Sequence, residues 1–225
     1  MQKLLVLILA FVVISCQDPG PGSSTDILDR SIAYHDPDGL WKDFKYELNF
    51  VASRPDSTER KTTVQIDLPK RYFRYLRPSA DADLGIQGDS CFNAISDTVD
   101  CTAIKRIRNY YTYLWGLPMK LKDPETDLDP EFMESSFEGQ PVYRLKVTYP
   151  NEIYYFSFDK ETYQLVGEEF YKDEAKNLGE KMIRGGEVNL NGLKLPQTRA
   201  WYNTHDSLYL ATDKLDSFST FSATQ

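Results

Sequence analysis

The chain has 225 residues, 26 basic against 34 acidic side chains and a formal net charge of −8. That balance, with no free basic cluster, excludes a nucleic-acid partner and favours a well-hydrated body. Two basic runs, at 70–77 and 105–108, are interleaved with apolar residues and read as solvated faces of a strand and a helix. Fifteen Tyr and twelve Phe suit broad, half-buried sheets.

The first residues read as an export signal. Lys3 precedes an unbroken apolar run from Leu4 to Ile14, far short of the about twenty residues that cross a bilayer and suited to a signal-peptide core. Ser15-Cys16 then resembles a lipobox, which implies removal of residues 1–15 and lipidation of Cys16. The alternatives are an ordinary secretory signal or a membrane helix. Gln17-Asp18-Pro19-Gly20 stops a helix, and no Ala-x-Ala cut site follows. Residues 16–24 read as a lipidated tether. Gln17, rather than Asp, points to the outer membrane under the Gram-negative sorting rule. Which side of that membrane the protein faces stays open.

Cys91 and Cys101 are left as a pair, either a disulfide or two buried thiols. Closing that loop would contribute about 3 kcal/mol. No Cys-x-x-Cys or neighbouring His suggests zinc.

A helix is predicted from Ser24 or Thr25 to Tyr34, capped by one of those hydroxyls, with Ile27, Leu28, Ile32 and Ala33 in one stripe. Strands of period two follow. Phe44, Tyr46, Leu48, Phe50 and Ala52 alternate with polar neighbours, then Thr62, Val64, Ile66 and Leu68, then Phe73 and Tyr75. A Gly- and Asp-rich loop leads to a short strand at 91–95. Residues 102–115 set Ile104, Ile107, Tyr111 and Leu114 at helical spacing, with Asp97 or Thr98 as the cap. Residues 122–139 read as an acidic loop with one short helix around 131–134. Strands return at 143–149, 154–158, 163–171, 181–190, 193–202 and 208–218, with Asn191-Gly192 as a hairpin signal.

This layout resembles the lipoprotein-carrier superfamily of Gram-negative envelopes, the LolA/LolB/LppX-like proteins. The local echoes are Phe156-Ser157-Phe158-Asp159-Lys160-Glu161-Thr162-Tyr163-Gln164-Leu165 and Asn191-Gly192-Leu193-Lys194-Leu195-Pro196. Ile32-Ala33-Tyr34-His35-Asp36-Pro37, Trp115-Gly116-Leu117-Pro118 and Leu121-Lys122-Asp123-Pro124 resemble a family of uncharacterised envelope lipoproteins. The resemblance implies a mainly β (α+β) domain over residues 25–220. It would be a single curved antiparallel open half-barrel of about 9–11 strands, with an N-terminal helix and a mid-chain helical lid.

Such a shell would hold a lipid, or another lipoprotein's acyl chains, against Phe44, Tyr46, Leu48, Phe50, Phe73, Tyr75, Tyr111, Leu114, Trp115, Tyr154, Phe156 and Phe158. A dry core built from the same residues is the alternative. No catalytic motif is present. The pairs His35-Asp36 and His205-Asp206 are explained by capping and turns, so no cofactor, metal or enzymatic role is expected. The membrane, through the anchor, is the expected partner, and oligomeric state is not legible. Rival readings are an envelope protein-interaction lipoprotein without ligand and, last, an envelope hydrolase.

Overall fold

Strand alternation with one apolar and one polar face calls for a sheet covered on one side only. The computed structural model, which describes residues 20–55 and 57–223, has that arrangement. The leader, Cys16 and most of the tether lie outside the described residues. The first half runs α1 (Ser24–His35), β1 (Lys45–Arg54), β2 (Ser57–Asp67), β3 (Tyr72–Arg77), β4 (Ala82–Gln87), β5 (Ser90–Asn93) and α2 (Cys101–Trp115). The second half runs β6 (Asp127–Phe137), β7 (Gln140–Tyr149), β8 (Glu152–Asp159), β9 (Leu165–Asp173) and β10 (Leu178–Gly185), then β11 (Val188–Leu190), β12 (Leu193–Leu195), β13 (Thr198–Asn203) and β14 (Tyr209–Thr220).

Twelve strands form one antiparallel sheet in the order β5-β4-β3-β2-β1-β14-β13-β10-β9-β8-β7-β6, and β11-β12 form a separate hairpin. The β1–β14 pairing joins the two halves of the chain. The outer strands β5 and β6 do not pair with each other, so the sheet is an open half-barrel. The expected architecture is the observed one, with a count corrected to twelve strands plus the hairpin.

Several local expectations are corrected. Residues 127–137 form β6, not a loop with a short helix. As an edge strand β6 faces solvent along most of its length and carries a register shift across Pro130, so it lacks the alternation of a covered strand. The Gly- and Asp-rich stretch contains β4. Gly85 is needed there because a Cβ would lie 2.5 Å from the Phe92 ring and 2.4 Å from the Phe73 carbonyl oxygen. Ser23 caps α1 by accepting from the Asp26 N–H at 3.2 Å, and Asp100 caps α2 by accepting from the Ala103 N–H at 3.0 Å. The two strands expected on either side of Asn191-Gly192 each break in two, near Gly186 and Pro196, which frees the hairpin. Asn191 and Gly192 both take positive φ, as the tight turn requires.

One face of the sheet is polar, with pairs such as Thr63–Asn49 at 2.7 Å and Gln65–Glu47 at 2.7 Å. The concave face is covered. Helix α1 packs against β6 and β12, and α2 against β3, β4 and β5. The core has two parts. Phe44, Leu48, Val64, Ile66 and Phe73 pack with Ile104 of α2 and with Leu190, Leu193 and Leu195 of the hairpin. Leu145, Val147, Phe156 and Phe158 pack with Ile27 and Leu28 of α1. The parts meet at the end of α2, where Trp115 belongs to the first and Leu114 to the second. Burying each such side chain contributes about 1.5–3 kcal/mol, and this fixes the position of α2 over the sheet.

Candidate functional site

Beyond the edge of α2 the concave face is not filled. A cavity of about 1140 Å3 lies between the helix and the sheet, larger than the about 300–1,000 Å3 of ordinary small-molecule sites. Strand register places its floor. Ala52 pairs with Asp213, Trp201 with Ala211, Met182 with Trp201 and with Glu168, and Tyr154 with Phe170, so these side chains share one face. Helix α2 supplies Arg106, Asn109, Tyr110, Tyr111, Tyr113 and Leu114 as the roof. The mouth is marked by Arg54, Arg106, Asn109 and Tyr110, which line the cavity and are exposed.

Five of the sequence-predicted lining residues stand in the cavity wall: Phe50, Tyr75, Tyr111, Leu114 and Tyr154. Phe44, Leu48, Phe73, Trp115, Phe156 and Phe158 do not line it and are fully buried in the packed core. Tyr46 also lies away from it, accepting from Asn191 Nδ2 at 3.1 Å at the hairpin turn. The division runs across the sheet with a step of one pair between β2 and β3, where core Leu48 and wall Tyr75 share a row through Val64. Leu48 is core and Phe50 is wall, Phe73 is core and Tyr75 is wall, and Phe156 is core and Tyr154 is wall. Where Ile104 and Trp115 of α2 and the leucines of the hairpin reach the sheet, the trough is packed.

The wall is more polar than an aromatic reading suggests. Tyr113 and Tyr149 share a hydrogen bond at 3.0 Å, and the Tyr154 hydroxyl donates to Glu152 at 3.0 Å. Burial pushes the phenols of Tyr111, Tyr113 and Tyr154 well above the ordinary tyrosine range, so they stay protonated donors. Burial also raises the Glu180 carboxyl. Two further wall carboxylates are already taken. Arg184 Nε and Nη2 donate to Glu168 at 2.8 and 2.9 Å, and Arg199 donates to Asp213 at 3.3 Å. The sequence reading missed Arg54, Arg60, Arg77 and Arg106 in this wall. Arg77 and Arg106 come from the two basic runs read as solvated faces. The missed signal was alternation itself, since Phe50, Ala52 and Arg54 continue one face, as do Tyr75 and Arg77.

Cys91 and Cys101 are joined in a disulfide with Cα atoms 5.5 Å apart, tying the first residue of α2 to edge strand β5. His35 is buried at the end of α1. Its Nε2 accepts from the Leu165 N–H at 3.0 Å, so Nδ1 carries the proton donated to the Lys194 carbonyl at 2.9 Å. His205 lies beside Asp206 at the surface. Among the described residues no three His, Cys, Asp or Glu side chains are grouped to hold a metal ion.

An open antiparallel half-barrel with two helices against its concave face is the LolA-like architecture, and solved structures agree. The chain is similar to a LolA superfamily protein from Nitrosomonas europaea, with a TM-score of 0.56, 12% identity, and 90% of this chain and 95% of that one covered. It is equally similar to a putative outer membrane lipoprotein-sorting protein domain from Vibrio parahaemolyticus, with a TM-score of 0.56, 12% identity and coverage of 88% and 93%. A DUF1329 family protein from Desulfovibrio piger follows, with a TM-score of 0.50, 10% identity and coverage of 87% and 92%. At such identities the likeness is one of fold. In sequence, residues 2–85 and 91–216 match a family of unknown function, DUF6503, and the chain belongs to that family. No curated protein matches it.

Proposed function

We propose that this protein is a non-enzymatic lipoprotein of the cell envelope, lipidated at Cys16 and held at the outer membrane. In this reading it keeps an apolar or amphiphilic ligand beneath α2. The observation that carries the reading is the cavity of about 1140 Å3, walled by Phe50, Tyr75, Tyr111, Leu114, Tyr154 and Trp201. Its volume and aromatic lining suit an acyl chain. The fold shared with a lipoprotein-sorting domain is in keeping with an apolar ligand. A multiply acylated anchor is stable where a single chain is marginal, so the protein acts as a fixed receptor or store rather than a shuttle.

The test is to export residues 17–225 behind a general secretory leader, purify the chain without detergent and extract bound material for mass spectrometry. Recovery of lipid in fixed proportion to protein is expected. A lipid-free extract, together with no uptake of added acyl chains, overturns the reading and favours a protein-interaction module instead.

A further inference from the structure

Every arginine among the described residues has a side-chain hydrogen-bond or ion-pair partner except four, and all four line the cavity. Arg30 meets Asp26, Arg71 meets Asp89, Arg74 meets Asp83, Arg108 meets Asn109, Arg144 meets Glu169, Arg184 meets Glu168 and Arg199 meets Asp213. Arg54, Arg60, Arg77 and Arg106 have none, in a protein whose net charge is −8. Arg60 and Arg77 are half-buried, and the Nε of each is shut off from solvent without an acceptor. A desolvated guanidinium donor without an acceptor is costly, and gathering like charges adds to the cost.

The four come together from separate elements. Arg60 pairs across the sheet with Ala52, Arg54 ends β1, Arg77 ends β3 on the same face, and Arg106 reaches from α2. The wall carboxylates without a salt bridge, Glu152 and Glu180, stand on β8 and β10, away from β1–β3 in the sheet. The unpartnered cations thus gather on β1–β3 and α2, while the carboxylates without a salt bridge stand on β8 and β10.

We infer that the cavity takes an amphiphile with an anionic headgroup, a carboxylate or phosphate, held by Arg54, Arg60, Arg77 and Arg106 while its apolar chain lies under α2. This rests on the reading of the cavity as a ligand site and adds the ligand's charge and direction. Guanidinium groups suit this task because their planar donors engage carboxylate or phosphate oxygens in pairs. Arg60 and Arg77, the more buried, supply most of the grip, and Arg54 and Arg106 close over the headgroup at the rim.

The experiment compares four probes on the delipidated exported chain by titration calorimetry: dodecyl phosphate, dodecanoate, dodecanol and inorganic phosphate. The anionic chains are expected to bind about tenfold or more tightly than dodecanol, as charge-assisted hydrogen bonds imply. Added salt should weaken the anionic chains alone. Arg60→Gln/Arg77→Gln should erase the preference by weakening the anionic chains to the level of dodecanol. Should that variant fail to fold, Arg54→Gln/Arg106→Gln changes only exposed side chains and should still reduce the preference several-fold. Equal binding of anionic and neutral chains overturns the headgroup inference while the ligand site stands. Failure of every chain to bind overturns both. Inorganic phosphate binding as tightly as dodecyl phosphate overturns the amphiphile and assigns the arginines to a free anion.

Discussion

The guanidinium of Arg199 lies 4.1 Å from the centre of the Trp115 ring, both side chains fully buried where the end of α2 meets the middle of the sheet. This cation–π contact closes a row of charge across four strands. Glu168 of β9 holds Arg184 of β10, which stands directly opposite Arg199 of β13, which reaches Asp213 of β14. Arg199 Nε and Nη1 have no acceptor. Replacing Arg199 by Met leaves Asp213 alone and uncovers the ring. The expected loss is about 2–3 kcal/mol, below the figure for a wholly buried pair because Asp213 is partly exposed. Arg199→Met/Asp213→Leu should recover at least half of that loss, since both the unpaired donors and the orphaned carboxylate are gone. Urea unfolding of the two single variants and the double variant measures the cycle.

His35 predicts a loss of stability in mild acid. Burial lowers its pKa to about 4 from an ordinary 6.5, helped by the Arg184 and Lys194 charges and opposed by the hydrogen bond to the Lys194 carbonyl. Between those values the unfolded chain binds the proton and the folded chain does not, so stability falls with falling pH. The contribution is complete above about pH 6.5 and lost by about pH 4, on the order of 3 kcal/mol in all. Unfolding midpoints measured down that range, against His35→Gln as the reference, should show the excess slope in the parent chain only.

The disulfide ties the start of the roof helix to edge strand β5. In the chain-entropy model a loop of this length contributes about 3 kcal/mol. Cys91→Ser/Cys101→Ser should lower the melting temperature and speed hydrogen exchange in the first turns of α2. Exchange in β8 and β9, which α2 does not clamp at that end, should change little.

The anchor is tested by position. Export of residues 17–225 behind a cleavable general leader should move the protein from the membrane to the soluble periplasmic fraction. A chain still wholly in the membrane fraction would contradict lipidation at Cys16 as its means of attachment.

Much of this fold was legible because half-covered strands alternate and hairpin turns carry their own chemistry. Phe44 to Ala52 and Tyr143 to Tyr149 name their faces without help, and Asn191-Gly192 names its turn. Strand β6 was not legible. Its only covered side chains are Leu128, Phe132 and Phe137, and Pro130 interrupts them. Strand β4 was hidden by Gly85, a residue that a sequence reads as a loop and that the ring of Phe92 requires in a strand. The site was half legible for a different reason. Alternation says that Phe156 and Tyr154 share a face, but only the helices packed on that face decide that Phe156 is core and Tyr154 is wall. Arg77 and Arg106 escaped because their basic runs were weighed as solvent-facing, when strand alternation carries Arg77, and the face of α2 carries Arg106, to the cavity wall.

A closed barrel can change its bore only by breaking or sliding a ladder of hydrogen bonds. Here each rim is held by its own helix: β5 by α2 through the disulfide, and β6 by α1, whose Ser24 hydroxyl donates to the Glu131 carbonyl at 2.8 Å. Across the gap the links are side-chain ones: Leu114 and Leu117 cluster with Ile27 and Leu28, Tyr113 shares a hydrogen bond with Tyr149, and Lys122 pairs with Asp29. The molecule therefore has the mechanics of a spring clip. Parting its two rims asks no strand to leave its partner, because β5 and β6 are the unpaired edges of the sheet.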